Sequence, residues 1–128
     1  MIQFTASSPI YTQISERIGM QIMTAEYPAG SDLPSVRDLA ADFGVNPNTM
    51  QRALSDLESR GLIDTHRTAG RTVTEDQQAI DQAKQQLVKR RAEEFIESLK
   101  VFGYSTDDLA DIIRHSHEEG ERNEHTGS

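Results

Sequence analysis

Segment 33–74 constrains the fold most strongly, because it contains residues that are typical of the starts and ends of two helices. Ser35 is a good helix N-cap, and Gly44 suits the left-handed turn with which a helix ends. Asn46 followed by Pro47 then places an N-cap residue before a proline at the first helical position. Apolar residues recur between these markers at helical spacing: Val36, Leu39, Ala40 and Phe43, then Met50, Ala53, Leu54 and Leu57. The pattern predicts a helix-turn-helix.

Two short strand-prone runs, 62–66 and 71–74, follow the second helix and flank the segment 67–70. We therefore expect a hairpin, or wing, directly after the helix-turn-helix. A helix-turn-helix that binds DNA places its second helix in the major groove, with its first residues at the base edges. Here those residues are polar, and asparagine, glutamine and arginine are the side chains that bind adenine and guanine.

The candidate DNA contacts fall into two groups. One lies at the start of the second helix and the other at the wing, where cations beside a glycine suit phosphate contact. They are Asn46, Asn48, Thr49, Gln51 and Arg52 in the helix, and His66, Arg67, Gly70 and Arg71 in the wing. The alternative interpretation of the first group is a solvated polar face on an ordinary surface helix.

The first 74 residues resemble the winged-helix domain of the GntR family of bacterial transcription regulators. The resemblance rests on Pro-Ile-Tyr at 9–11, PAGSDLPSVR at 28–37 and VNPNT at 45–49. The last string and the short C-terminal region look most like the YtrA-type subfamily. Members of the family generally act as dimeric repressors on inverted-repeat operators, often of transporter operons. The resemblance implies DNA contacts at Arg37, Asn46, Pro47, Asn48, Thr49, Gln51 and Gly70.

This sequence departs from the family at two of those positions. Many relatives carry arginines where Pro47 and Gln51 stand here. The base preferences of those relatives therefore do not carry over to this chain.

Composition excludes several other classes of protein. The 128 residues include no cysteine, which excludes disulfides and thiolate metal sites. No apolar run approaches membrane-spanning length, and the N-terminus lacks an export signal, so we expect a cytoplasmic protein without membrane contact. No nucleophile elbow, phosphate loop or paired-carboxylate motif occurs. The sequence predicts neither an enzyme nor a bound cofactor.

The net charge of −8 is unusual for a DNA-binding protein, so its location matters. Residues 1–74 contain six arginines and eight carboxylates, a net charge of −2, and the rest of the chain carries −6. Weak basicity predicts weak non-specific binding, so specific contacts and dimerisation have to supply the affinity.

A second amphipathic region begins near residue 75 and predicts one long helix, 75–102, and a shorter one capped by Ser105. With no other core to cover them, two such helices bury their apolar stripes against a second copy of the chain. The alternative is packing back on the winged helix. The residues predicted for dimerisation are Ile80, Ala83, Leu87, Phe95, Leu99, Phe102, Leu109, Ile112 and Ile113.

The sequence thus predicts a mainly α protein with a small β-wing, in three parts. These are a winged helix-turn-helix domain at 1–74, a two-helix dimerisation region at 75–117 and a disordered tail at 118–128. His115, His117 and His125 lie in or near that tail, where a metal site is not expected.

The predicted function is sequence-specific binding of double-stranded operator DNA by a homodimeric repressor. Two helices cannot enclose a ligand pocket of roughly several hundred Å³ within one monomer. A small-molecule effector would therefore have to bind at the dimer interface or between the two regions. The alternative function is a winged-helix protein-interaction module without specific DNA binding.

Overall fold

The computed structural model describes residues 8–126. Residues 1–7, which we expect to be a loose or short extended lead-in, lie outside the described residues. The described elements confirm a mainly α fold with a small β-wing. In chain order they are α1 (Ile10–Met23), α2 (Val36–Phe43), α3 (Pro47–Ser59), β1 (Ile63–His66), β2 (Gly70–Val73), α4 (Gln77–Lys100) and α5 (Thr106–Thr126). The chain divides into two compact units, Met1–Gln85 and Gln86–Ser128.

The predicted helix caps define the helix-turn-helix formed by α2 and α3. Ser35 Oγ accepts a hydrogen bond of 3.1 Å from the Asp38 N–H, which satisfies one of the free donors at the start of α2. Gly44 ends α2 with φ of +69°, a conformation that a side chain would strain. Asn46 caps α3 in turn, its Oδ1 accepting 2.7 Å from the Asn48 N–H.

The sequence predicts a first helix that begins near Pro9 with Ser8 as its cap, and the start of α1 differs from this prediction. Pro9 is the N-cap residue, with an extended ψ of 147° and no side-chain hydrogen bond to the helix. Its carbonyl oxygen accepts from the N–H groups of Thr12 and Gln13 at 3.2 and 3.3 Å. Because the backbone of Pro9 is extended, the first helical residue is Ile10. Ser8 therefore lies one residue before the N-cap position and does not cap the helix.

The core of the first unit is built between α1 and α3. Ile14, Ile18 and Ile22 lie at four-residue steps along α1 and are 2% exposed or less. They belong to one buried cluster with the stripe of α3 and the inner residues of the hairpin. Its members on those elements are Met50, Ala53, Leu54, Leu57, Ile63 and Val73.

The wing is a two-stranded antiparallel sheet in which Ile63 pairs with Val73 and His66 pairs with Gly70. The sequence of residues 31–33 allows a further short strand beside the wing, and the structure forms a single bridge there, between Asp32 and Thr72. The flanking segment supplies two more hydrogen bonds, from Leu33 N–H to the Arg71 carbonyl and from Val73 N–H to the Ser31 carbonyl, at 2.9 and 2.8 Å. The hairpin is therefore attached to the chain just before α2.

The first unit extends beyond residue 74, where the sequence placed its boundary, because the start of α4 belongs to its core. Ile80 is 2% exposed and lies in the buried cluster, and Ala83 packs against that cluster. Both residues were predicted to form the dimer interface. Within one copy of the chain, the first unit covers Ile80 and part of Ala83, which leaves less of their apolar surface for a second copy.

In the second unit, α5 begins with a reciprocal cap. Ser105 N–H donates to Asp108 Oδ2 at 3.0 Å, and Asp108 N–H donates to Ser105 Oγ at 3.1 Å. The hydrogen bond from the Ser105 backbone N–H to the carboxylate, and next to it the Ser105 hydroxyl, hold the pKa of Asp108 below its ordinary value.

The helix α5 runs through Thr126, across residues 118–126 where the sequence predicts a disordered tail. Pairs of side chains one turn apart stabilise this helix. Arg114 contacts Asp111 at 3.1 Å, and His117 Nε2 lies 2.9 Å from Glu121 Oε1. None of the helices in the described part of the chain is long and apolar enough to span a membrane.

Candidate nucleic-acid interface

The polar face of α3 points to solvent because the opposite, apolar face is buried in the core. Met50, Ala53, Leu54 and Leu57 are at most 1% exposed. Asn48, Gln51 and Arg52 lie on the exposed side of the same helix. A helix held by a buried stripe cannot rotate about its axis, so these three side chains are presented to solvent together.

Ser55 joins this surface, although the sequence analysis did not single it out. It is exposed and lies four residues after Gln51 and seven after Asn48, on the same side of α3. Its hydroxyl can donate to or accept from a base edge. Helical periodicity alone could have identified it, since the signal is the spacing and not the residue type.

Three other predicted residues at the start of α3 have different surroundings. Asn46 is exposed, but its side-chain oxygen is occupied by the cap on Asn48 N–H. Pro47 is the first helical residue and offers no N–H. Thr49 is half-buried, which leaves less of its methyl and hydroxyl for a ligand.

Arg37 lies in the first turn of α2 with its side chain exposed. Three carboxylates are candidate partners for its guanidinium. Two of them, Asp38 and Asp42, are nearby in sequence, yet neither forms an ion pair with it in the described part of the chain. The third, Asp56, is engaged by Arg60 at 3.1 Å and by Ser15. The guanidinium of Arg37 is therefore available to a ligand.

The wing separates its predicted cations by strand parity. His66 lies on one face of the hairpin, where its Nε2 is 2.8 Å from Thr72 Oγ1. Arg71 lies two residues before the buried Val73 and therefore shares its face, opposite to that of His66. Arg71 is half-buried, and its Nε has no hydrogen-bond partner among the described residues. Arg67 is exposed in the loop between the strands, before Gly70 with its φ of +77°. Arg67 is thus the most accessible cation of the wing.

The histidines of α5 contact atoms of their own helix. His115 Nδ1 is 2.7 Å from the Asp111 carbonyl oxygen, and His117 contacts Glu121 one turn further on. No group of three His, Asp or Glu side chains among the described residues is arranged to hold a metal ion. The side chain of His125 lies outside the described residues.

Comparison with known proteins gives a consistent result. Residues 10–73 match the model of the bacterial regulatory proteins, gntR family. The chain is 35% identical to the uncharacterized HTH-type transcriptional regulator YhcF of Bacillus subtilis, over 88% of this chain and 93% of that protein. It is 30% identical to the HTH-type transcriptional repressor YtrA of the same organism, over 85% of each.

Two solved structures extend the comparison. A GntR family transcriptional regulator from Listeria monocytogenes superposes with a TM-score of 0.81 and 38% identity, over 88% of this chain and 98% of that one. The AraR DNA-binding domain in complex with operator ORX1 superposes with a TM-score of 0.53 and 28% identity, over 58% of this chain and 93% of that one. The second likeness covers little more than the winged helix.

The cap formed by Asn46 generates a prediction about stability. Asn46→Ala should lower the free energy of unfolding by about 1 kcal/mol, because the Asn48 N–H loses its acceptor. Asn46→Ser should keep most of that stability, since serine caps as well as asparagine. Urea denaturation followed by circular dichroism measures both. Asn48→Ala is the matched control, expected within about 0.5 kcal/mol of the parent. Equal losses for the alanine and serine variants at position 46 would contradict the capping role.

Proposed function

Because the chain belongs to the gntR family of bacterial regulatory proteins, we propose that it is a dimeric repressor that binds an inverted-repeat operator. It is a DNA-binding transcription regulator, as its relatives are, and not an enzyme. The proposal concerns the mode of binding, the residues that carry it and the assembly of two chains. An operator-binding protein of this kind acts in the cytoplasm, where bacterial DNA lies.

The observation that carries the proposal is the exposed face of α3. Asn48 and Gln51 place two amides on it, and an amide can bind the two major-groove atoms of adenine. Ser55 adds a hydroxyl one turn further along. An apolar partner groove would instead require an apolar face on this helix. The polar face therefore favours base recognition over the alternative, a protein-interaction module.

The second group of contacts surrounds this helix and positions it. Arg37 at the start of α2 and Arg67 at the tip of the wing are exposed cations on either side of α3 in the sequence. Cations of this kind neutralise phosphates, which fixes the register of a protein on DNA without reading its sequence. Arg71 and His66 are assigned weaker roles, because the first is half-buried and the second is bonded to Thr72.

Dimerisation is supported by the apolar surface of α4 and α5. Val88, Phe95 and Phe102 recur at seven-residue steps and are 60%, 50% and 72% exposed. Ile112 and Ile113 of α5 are half exposed as well. Apolar side chains in such numbers mark an interaction surface, and a second copy of the chain is the partner that a repressor of a two-fold operator requires. Of the other residues predicted for this interface, Leu109 is buried, and Leu87 and Leu99 are half-buried.

The target operon and any effector rest on similarity alone. The similarity to the YtrA repressor supports placing this chain in a YtrA-like group. We propose a transporter operon as the target on that basis. A small-molecule effector, if the protein responds to one, would not be enclosed by the two C-terminal helices of one monomer.

Selection of bound duplexes from a random DNA pool tests the proposed function. We expect an enriched consensus with two-fold symmetry, because a symmetric dimer places its two recognition helices on equivalent half-sites. Gln51→Ala should cost about 1–3 kcal/mol on that consensus and relax the preference at particular base pairs. A pool without enrichment would favour the protein-interaction module.

Arg37→Ala separates a DNA contact from a structural role. An exposed arginine without an ion pair contributes little to stability, so the melting temperature should be unchanged and the free energy of unfolding should shift by less than about 0.5 kcal/mol. Binding of the selected operator should weaken tenfold or more, or about 1.4 kcal/mol. Arg17→Ala, another exposed arginine but on α1, is the control. Lower stability with unchanged affinity would assign Arg37 a structural role.

Phe95→Asp tests the dimer interface. A carboxylate in an apolar seam is strongly disfavoured, so light scattering should show a monomer while circular dichroism still shows a folded chain. Gln86→Asp adds the same charge on the opposite side of α4 and should leave the dimer intact. A dimer that survives Phe95→Asp would place the interface elsewhere.

A further inference from the structure

A series of side-chain contacts joins one edge of α3 to α1. Arg52 Cζ lies 4.2 Å from the centroid of the Tyr11 ring. One turn further along both helices, Ser15 Oγ donates to Asp56 Oδ2 at 2.5 Å. The same carboxylate oxygen is 3.1 Å from Arg60 Nε. The two arginines thus lie eight residues apart, Arg52 within α3 and Arg60 at the C-cap position directly after it.

The two arginines differ in the groups that their guanidinium groups contact. Arg60 is neutralised by a carboxylate, whereas Arg52 rests on an uncharged ring and has no ion-pair partner within the described residues. The face of an aromatic ring attracts a cation through its quadrupole without cancelling the charge. Arg52 therefore keeps its full positive charge at an exposed position.

The contact with Tyr11 turns the guanidinium of Arg52 away from Gln51. Around the axis of α3, Arg52 lies about 100° from Gln51 and about 40° from Asn48, on the side that contacts α1. A helix docked in the major groove has base edges before its outer face and phosphates along its flanks. On the proposed docking of α3, Gln51 therefore faces the bases, and the guanidinium of Arg52, held toward α1 by Tyr11, faces a DNA strand.

From this geometry we infer that Arg52 contacts a DNA phosphate and that Tyr11 is its positioning residue. The inference rests on the proposed function, since it assumes that α3 enters the groove. A free arginine loses rotamer entropy when a phosphate fixes it, and that loss weakens binding. The ring of Tyr11 restricts the guanidinium before DNA arrives. It should therefore raise affinity for every DNA sequence without adding specificity.

Binding measured over a range of salt concentrations tests the role of Arg52. Arg52→Ala should weaken the selected operator and a scrambled duplex by the same factor, at least fivefold. It should also reduce the slope of log K against log salt by about 0.9 for each phosphate that the protein no longer neutralises. Arg60→Ala is the matched control and should change neither the affinity nor the slope. Arg52→Lys keeps the charge but loses the flat group that stacks on the ring, so the slope should stay while affinity falls about two- to fivefold.

Variants at Tyr11 test the positioning role. Tyr11→Phe keeps the ring and should bind within twofold of the parent. Tyr11→Leu should weaken both duplexes two- to fivefold with an unchanged salt slope, because Arg52 still reaches the phosphate. In the Arg52→Ala background the same substitution should have no further effect. Melting curves establish that each variant is folded at the assay temperature.

The outcomes are distinguishable. A Tyr11→Phe variant as weak as Tyr11→Leu would assign the effect to the hydroxyl and overturn the positioning role. Independent losses from Tyr11→Leu and Arg52→Ala would also overturn it. Normal operator binding by Arg52→Ala would overturn the phosphate contact alone. A parent protein that enriches no DNA sequence would instead overturn the proposed function.

Discussion

The buried stripe of α3 is the interaction on which the rest of this protein depends. Met50, Leu54 and Leu57 lie in one cluster with Ile14 and Ile18 of α1, all essentially without solvent exposure. Removing one of these side chains would cost about 2–5 kcal/mol, a large part of the stability of a small domain. The stripe also fixes the rotation of α3. Stability and the direction in which the amides point are therefore set by the same packing.

Much of the first unit could be predicted from the sequence because its signals are local. A cap and the N–H that it binds are two or three residues apart, as in the pairs Ser35 with Asp38 and Asn46 with Asn48. The turn at Gly44 depends on one residue type. These features let the sequence predict α2, α3 and the wing, and periodicity predicted which face of α3 is polar.

The sequence did not predict features that depend on distant partners. The apolar face of α4 was visible as a pattern, but the pattern cannot show what covers Ile80, which the core of the first unit buries. Tyr11 and Arg52 are 41 residues apart, and no local pattern in either segment predicts their contact. The length of α5 was missed for another reason. Its composition is typical of disorder, yet a reciprocal cap and i,i+4 pairs support a helix.

The cap formed by Asn46 restricts how this protein could evolve toward a new operator. A substitution there has to keep a side-chain oxygen for the Asn48 N–H, so serine, threonine and aspartate are the replacements that preserve the start of α3. The side chains of Asn48, Gln51 and Ser55 provide no such cap and are exposed. Those three positions are open to almost any polar residue at little loss of stability. Divergence of target sequence among descendants of this chain should begin at them, and duplicated copies could separate their regulons without first acquiring stabilising substitutions.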